Sequence, residues 1–296
     1  MSSNALVPIV IGHNAFFGVD HLSASRGAER AAYFSDPKRI MGVVTAAVDR
    51  GAQGMMMSTH ERAETIADCL RKEPDLSRKL RIYPLLPYAQ KYITKANEMG
   101  LVNVVRDALS ATSMSDKLTL GWQFAKGILA KDAFSMIAAL VRLELKAFRS
   151  LDVGAVFLHD VLTDLLLALE LRQVFEFYIE EIARSYQCQG AFATKNLPLL
   201  VRSFAQWGLP APVVMTHFNK VGYHMNPSSA ACEEAARACP VEIMAMGTLA
   251  SGALSPGEAY AYLGTVANIR SIVVGVSSPA HIDETYRAIH DHMAFH

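Results

Sequence analysis

Short, nearly continuous apolar runs recur along the chain, each followed by a longer segment whose apolar positions fall at helical spacing. Strands buried on both faces read as unbroken hydrophobic runs and their crossovers are helical, so the alternation predicts a parallel sheet with helical connections. Eight runs qualify as strands, at residues 8–12, 54–58, 81–86, 154–158, 190–193, 212–216, 242–246 and 271–276. Between them lie amphipathic segments such as PKRIMGVVTAAVDRGAQ, RAETIADCLRKEP, LPLLVRSFAQWG and PAHIDETYRAIHDH. Several open with a proline in the first turn, where its missing N–H costs nothing, and Gly or Asn ends the segment before the next strand. Eight strand-then-helix units in order predict an α/β fold of the (β/α)8 TIM-barrel type, as a single domain over residues 1–296.

One interval is too long for a single crossover. About sixty residues separate the third and fourth strands, and the helical period of LVNVVRDALSAT, LGWQFAKGILAK and FSMIAALVRLELKAFRSL predicts a helical insertion at about 92–150. Extra helices there are expected to lie over the strand ends as a lid, excluding water or offering a homo-oligomer surface.

Composition narrows the partners. The 28 basic and 28 acidic residues balance and no block of like charge stands out, so neither nucleic acid nor an anionic membrane is an expected partner, and a small-molecule substrate is. The N-terminus MSSNALVPIVIGHN lacks a basic, long-apolar leader and no apolar run reaches bilayer length, which predicts a cytoplasmic protein. Cys69, Cys188, Cys232 and Cys239 form no CxxC pair. They read as unreactive thiols, with a disulfide or metal role as the alternative.

In such a barrel the active site lies at the C-terminal ends of the strands, which makes the residues just past each strand candidates. His13, His60, His159 and His217 fall at four different strand ends. Imidazole passes protons near neutral pH and also binds transition metals, so the four suit acid/base chemistry or a divalent site, with Asp160 or Glu61 as a carboxylate ligand. Against a metal, no HxH or HExxH spacing is present. Each histidine also has a bland use, bonding a loop carbonyl. Lys91, Lys195 and Lys220 read as solvated or phosphate-facing groups rather than imine nucleophiles. GHNAFFGVDH after the first strand is either a substrate loop or an apolar plug, and GVSSPAH leads into a helix N-terminus able to hold an anion.

With these residues placed, the order of segments resembles the aldo-keto reductases. VGAVFLHDVLTD is similar to that family's fourth-strand segment, whose active-site histidine maps onto His159. GAFATKNLPLLVRSFAQWG resembles the fifth-strand segment that holds the nicotinamide amide, with Asn196 at the Asn position. MAMGTLASGALS and IRSIVVGVSSPAHIDET resemble the seventh and eighth units. The resemblance implies the same barrel and a hydride transfer, but three of the four catalytic residues are missing. The second unit reads MMMSTHERA, without the expected Asp or Tyr, and the third reads YPLLPYAQK, with Lys91 too late to serve. Met215 and Met246 stand where a glutamine and a ring-stacking tyrosine are expected, and the eighth unit lacks basic residues for a 2′-phosphate.

These departures lead to the expectation of a non-redox enzyme, a lyase or isomerase. His159 and His217 would be its acid/base pair, with His13, His60 and Asp160 completing the catalytic set. Asn14, Glu61, Tyr88, Asn196 and Lys220 are expected to bind a small polar, carbonyl-bearing metabolite. Cofactors are expected to be none or a divalent metal, with NADPH unlikely. The alternative is a divergent NADPH-dependent reductase using His60 or Tyr88 as proton donor, and a non-catalytic binding barrel is the third reading.

Overall fold

A computed structural model of the chain describes residues 5–19, 23–87 and 133–295. Eight parallel strands close into a barrel in sequence order: β1 (Ile9–Gly12), β2 (Gly54–Ser58), β3 (Arg81–Leu86), β4 (Ala155–Leu158), β5 (Gln189–Thr194), β6 (Val213–His217), β7 (Glu242–Met246) and β8 (Ile269–Gly275). Closure is made by β1 against β8, with Ile9 opposite Ile272 and Gly12 opposite Gly275. Every strand falls within two residues of its predicted position.

The helices ring the barrel: α1 (Ala24–Tyr33), α2 (Pro37–Val48), α3 (Glu61–Lys72), α4 (Pro74–Ser77), α5 (Ala133–Leu145), α6 (Asp160–Ala168), α7 (Arg172–Tyr186), α8 (Leu197–Trp207), α9 (Ser229–Ala238), α10 (Pro256–Leu263) and α11 (Pro279–His292). Their ends follow the local chemistry. Asp36, Ser255 and Ser278 cap helices that open with proline, and Ser255 forms a reciprocal capping box with Glu258. Gly208 ends α8 in the left-handed conformation, φ 68°.

Side chains alternate across each strand, so every second residue fills the barrel interior. Val10, Met56, Tyr83, Leu85, Ala155, Phe157, Ala191, Ala193, Val213, Met215 and Met244 pack there as one cluster. Their neighbours in sequence, such as Ile11, Met55, Ile82, Val156, Phe192, Val214 and Ile243, pack outward under the helices. Tyr83 closes the N-terminal end, its hydroxyl donating to the Ala5 carbonyl and accepting from Val7 N–H. Continuing the same alternation upward puts Ser58, His159, Lys195, His217 and Met246 on the inner face at the opposite mouth.

The insertion expected at about 92–150 is described only in its last part. Its FSMIAALVRLEL segment forms α5 as predicted, but not over the strand ends. It lies in the outer ring against α7, with the Phe134 and Phe177 rings 4.9 Å apart and Arg142 bonded to Glu181 at 3.4 Å. LVNVVRDALSAT, LGWQFAKGILAK, Tyr88 and Lys91 lie outside the described residues.

Candidate active site at the barrel mouth

Two histidines at strand ends begin the helices that follow. His60 is the N-cap of α3, its Nδ1 accepting from Arg62 N–H at 3.1 Å. An accepting Nδ1 is bare, so the neutral His60 ring carries its proton on Nε2. His159 caps α6, and its Nδ1 stands 2.6 Å from Asp160 Oδ1. Val161 N–H reaches the same oxygen at 2.9 Å and Nδ1 at 3.3 Å. Two lone pairs do not meet at 2.6 Å, so the arrangement that satisfies all three atoms has Nδ1–H donating to the carboxylate. His159 is thereby held as the tautomer opposite to that of His60.

Asp160 links His159 to the next strand, its Oδ2 lying 3.2 Å from Lys195 Nζ. Burial alone would raise the Asp160 pKa, but the bonds and charges of His159 and Lys195 prevail and hold it well below the carboxylate range. The end of β5 is fixed to α6 by a second carboxylate. Asp164 accepts from the Thr194 hydroxyl and from Lys195 N–H, the latter at 3.1 Å, and burial raises its pKa despite these bonds.

His13 completes this side of the mouth. Its ring is buried and lies 5.0 Å from Phe17, which stacks on His60 at 4.6 Å. Burial lowers its pKa to about 4, the Met56 backbone opposes the shift, and the charges of His159 and His60 add to it. His13 is therefore neutral in the folded protein near pH 7. Between pH 6.5 and 4 the unfolded chain takes up a proton that the folded one refuses, so stability falls as pH falls through that window, by on the order of 3 kcal/mol. Urea midpoints measured across this range should decline in the wild type and less steeply in His13→Asn.

His217 stands apart, with Tyr223 and His224. Its ring centroid is 5.1 Å from that of His224 and 6.5 Å from that of Tyr223. Buried Asn219 fixes this loop, accepting from Tyr223 N–H at 2.7 Å and donating to the carbonyls of Tyr223 and Gly247. Gly247 has φ 61°, and a Cβ there would overlap the His217 ring. Gly247→Ala should cost about 2–4 kcal/mol, combining left-handed strain with the clash. Thermal melting of that variant beside Gly247→Ala/His217→Ala separates the two, since only the clash is relieved in the double variant.

The structure thus groups His13, His60, His159 and Asp160 with Phe17 and Lys195; Lys195 had read as a solvated or phosphate-facing group and Phe17 only as part of the GHNAFFGVDH loop or plug, while Ser58, at the end of β2, was given no role. Strand alternation was the signal for Ser58 and Lys195. Asn196 is the N-cap of α8, with Oδ1 accepting from Leu199 N–H at 3.1 Å. Asn14 and Lys220 are exposed. Glu61 is the first residue of α3. Tyr88 lies outside the described residues. The four cysteines are free, and burial raises the Cys188 and Cys232 thiols to about 11.

A closed parallel barrel with ionisable residues converging at its C-terminal mouth is the architecture of a (β/α)8 enzyme. Solved structures with the same barrel are described as aldo-keto reductases. A protein of Pseudomonas aeruginosa assigned to that group has 14% identity and a TM-score of 0.61, covering 96% of this chain and 90% of its own. The aldo/keto reductase of Brucella melitensis has 10% identity and a TM-score of 0.54, over 97% and 90%. An aldo-keto reductase from a Medee basin deep-sea metagenome library has 10% identity and a TM-score of 0.51, over 99% and 88%. At these identities the likeness shows the fold. No family model and no curated protein matches the chain.

Three expectations are corrected. The lyase or isomerase reading gives way, because the barrels sharing this fold are described as reductases. The preference for a non-oxidoreductase class falls with it. So does the view that the cofactor is none or a divalent metal and that NADPH is unlikely, since the barrels sharing this fold are described as reductases, a class that takes its hydride from a cofactor. Among the described residues no group of three or more His, Cys, Asp and Glu is placed to hold a metal. At His60 and His159 one ring nitrogen is committed to a helix cap or a carboxylate. No described helix is long and apolar enough to cross a membrane.

Proposed function

We propose that this chain is a nicotinamide-dependent carbonyl reductase on the aldo-keto reductase barrel, with His159 in place of the missing tyrosine as proton donor. The observation that carries the reading is the contact chain Lys195–Asp160–His159 at the mouth. Reduction of a carbonyl needs a proton for the oxygen as negative charge develops there. Asp160 stabilises the His159 imidazolium through Nδ1–H, and its Nε2–H is the proton given to the alkoxide. Asp160 stays ionised because the His159 ring and, after it, the Lys195 ammonium outweigh its burial, as the depressed pKa of that carboxyl reflects.

The turn between β8 and α11 fits the phosphates of a dinucleotide. Gly275 is exposed, with no atom near the place a Cβ would take, and the chain then enters a 14-residue helix capped by Ser278. Asn196 spends its side-chain oxygen on the α8 cap, so its amide N–H groups are the part available to a ligand. A bound dihydronicotinamide would supply the hydride to the carbonyl carbon. The same reading takes the chain as one domain acting on a small molecule in the cytoplasm, to which its four free thiols lend support.

The test is consumption of NADPH, followed by absorbance, with a panel of small aldehydes and ketones. Turnover of at least one carbonyl, reversed by the matching alcohol and NADP+, is expected. No oxidation with any member in either direction would remove the proposal.

A further inference from the structure

Helices α5 and α7 enclose a hollow in the outer ring. On α5, Phe134, Ala138 and Arg142 recur every fourth residue, and on α7 Phe177, Glu181 and Arg184 follow at steps of four and three. Residues at these spacings share one helix face, and the two stripes meet. Together they line a cavity of about 230 Å3 that opens to solvent. Ala138, one turn from both Phe134 and Arg142, is too short to fill the gap between them. The Phe134 and Phe177 rings, 4.9 Å apart, supply its apolar part.

The charged part suits an anion. Glu181 is buried, and both of its oxygens are taken. Ser185 Oγ donates to Oε1 at 2.8 Å, Arg142 reaches the same oxygen at 3.4 Å, and Arg184 donates to Oε2. Burial alone would raise the Glu181 carboxyl, but these bonds and the two guanidinium charges hold it below its ordinary pKa. Two arginines thus share one carboxylate, and a single positive charge is left over. The Arg184 side chain is 73% exposed and gives one N–H to Glu181, so most of its fork of donors stands at the cavity rim.

A ligand that satisfies this hollow brings one negative charge in a planar group and a flat apolar body. A carboxylate matches the guanidinium fork in shape and charge, and an aromatic ring matches the two phenylalanines. A phosphate dianion would add a second negative charge beside the buried Glu181, with no cation left to offset it.

We infer that the cavity between α5 and α7 binds a small aromatic carboxylate, its charge held by Arg184 and Arg142 and its ring by Phe134 and Phe177. The site is separate from the barrel mouth and does not depend on the reductase reading.

Sodium benzoate, titrated into the purified protein by calorimetry, is the probe. One-site binding with a Kd of roughly 0.1–1 mM is expected for a ligand of this size. Benzyl alcohol and inorganic phosphate should each bind at least about tenfold more weakly. Arg184→Ala should weaken benzoate by about tenfold or more, with an unchanged melting temperature showing that this exposed substitution leaves the fold intact. Phe177→Leu, which keeps apolar bulk without the ring, is a second variant and should weaken it by about threefold. Lys195→Met, at the barrel mouth, should leave the affinity as it was. No saturable heat at tens of millimolar benzoate, or phosphate bound as well as benzoate, would overturn the inference. So would benzoate binding that persists in Arg184→Ala and is lost in Lys195→Met, which would put the ligand in the mouth.

Discussion

His159→Gln should lower kcat for NADPH-dependent carbonyl reduction by about 10²–10⁴, with a much smaller change in KM. The glutamine amide has nearly the reach of the ring and retains hydrogen-bonding atoms, so the carbonyl oxygen still finds a donor. What it cannot do is release a proton at neutral pH. The loss belongs to the transition state, where the oxygen becomes an alkoxide, rather than to binding. His159 also stands at the N-cap position of α6, where it holds the Asp160 carboxylate that accepts from Val161 N–H, so its removal loosens that helix end. Melting temperature controls for this, since losing a cap costs about 1 kcal/mol, far too little to explain a thousandfold fall in rate. His217→Gln serves as a comparison: it removes an imidazole from the same rim, one that packs beside Tyr223 and His224, and its effect should be well below that of His159→Gln.

Asp160→Asn should be nearly as severe, and its pH signature tells why. The carboxylate accepts Nδ1–H and stabilises the charged ring, and an amide offers only a neutral oxygen beside a competing N–H. Loss of the tautomer-fixing carboxylate is expected to cost about 10³–10⁴ in kcat. The acid dependence of stability carries that signature. The folded pKa of Asp160 lies below its ordinary value, so the carboxylate contributes stability above the unfolded pKa and loses it as pH falls through the acid range towards the folded one. In Asp160→Asn that part of the acid dependence should be absent. Lys195→Met, which leaves Asp160 and His159 in contact, is expected to produce an intermediate loss.

The barrel was legible in the sequence because its signal is repeated eight times. Each strand is a buried apolar run, each crossover has helical period, and prolines and caps mark the starts, so errors at single boundaries do not change the count. The insertion was harder. FSMIAALVRLEL has the period of a helix, and nothing in that period tells a lid from a member of the outer ring. What assigns α5 is its partner, Phe177 and Glu181 of α7, some forty residues on.

The site was legible by position but not by grouping. Strand ends located His13, His60, His159 and His217, yet which rings meet depends on loop conformation: the turn through Phe17 brings His13 and His60 onto one ring, and Asn219 holds the loop that carries Tyr223 beside His217. Lys195 and Ser58 were given no catalytic part for a different reason. A lysine just past a strand and a serine at its end are common on surfaces, and only the two-residue alternation of β5 and β2 turns them inward. The preference for lyase chemistry came from reading the missing tyrosine and lysine as loss of the reaction. In the proposed reading the contact chain at β4 and β5 would offer the same two services, a proton and a tuning charge, from other strands.

The central claim is that the mouth of this barrel receives a nicotinamide dinucleotide next to His159. Titration of the purified protein with NADPH, followed by quenching of intrinsic fluorescence, tests it most directly. Saturable binding at micromolar concentrations, weakened by substitution of Gly275 with a bulky residue, is the result the account predicts. A flat response up to millimolar NADPH would contradict it.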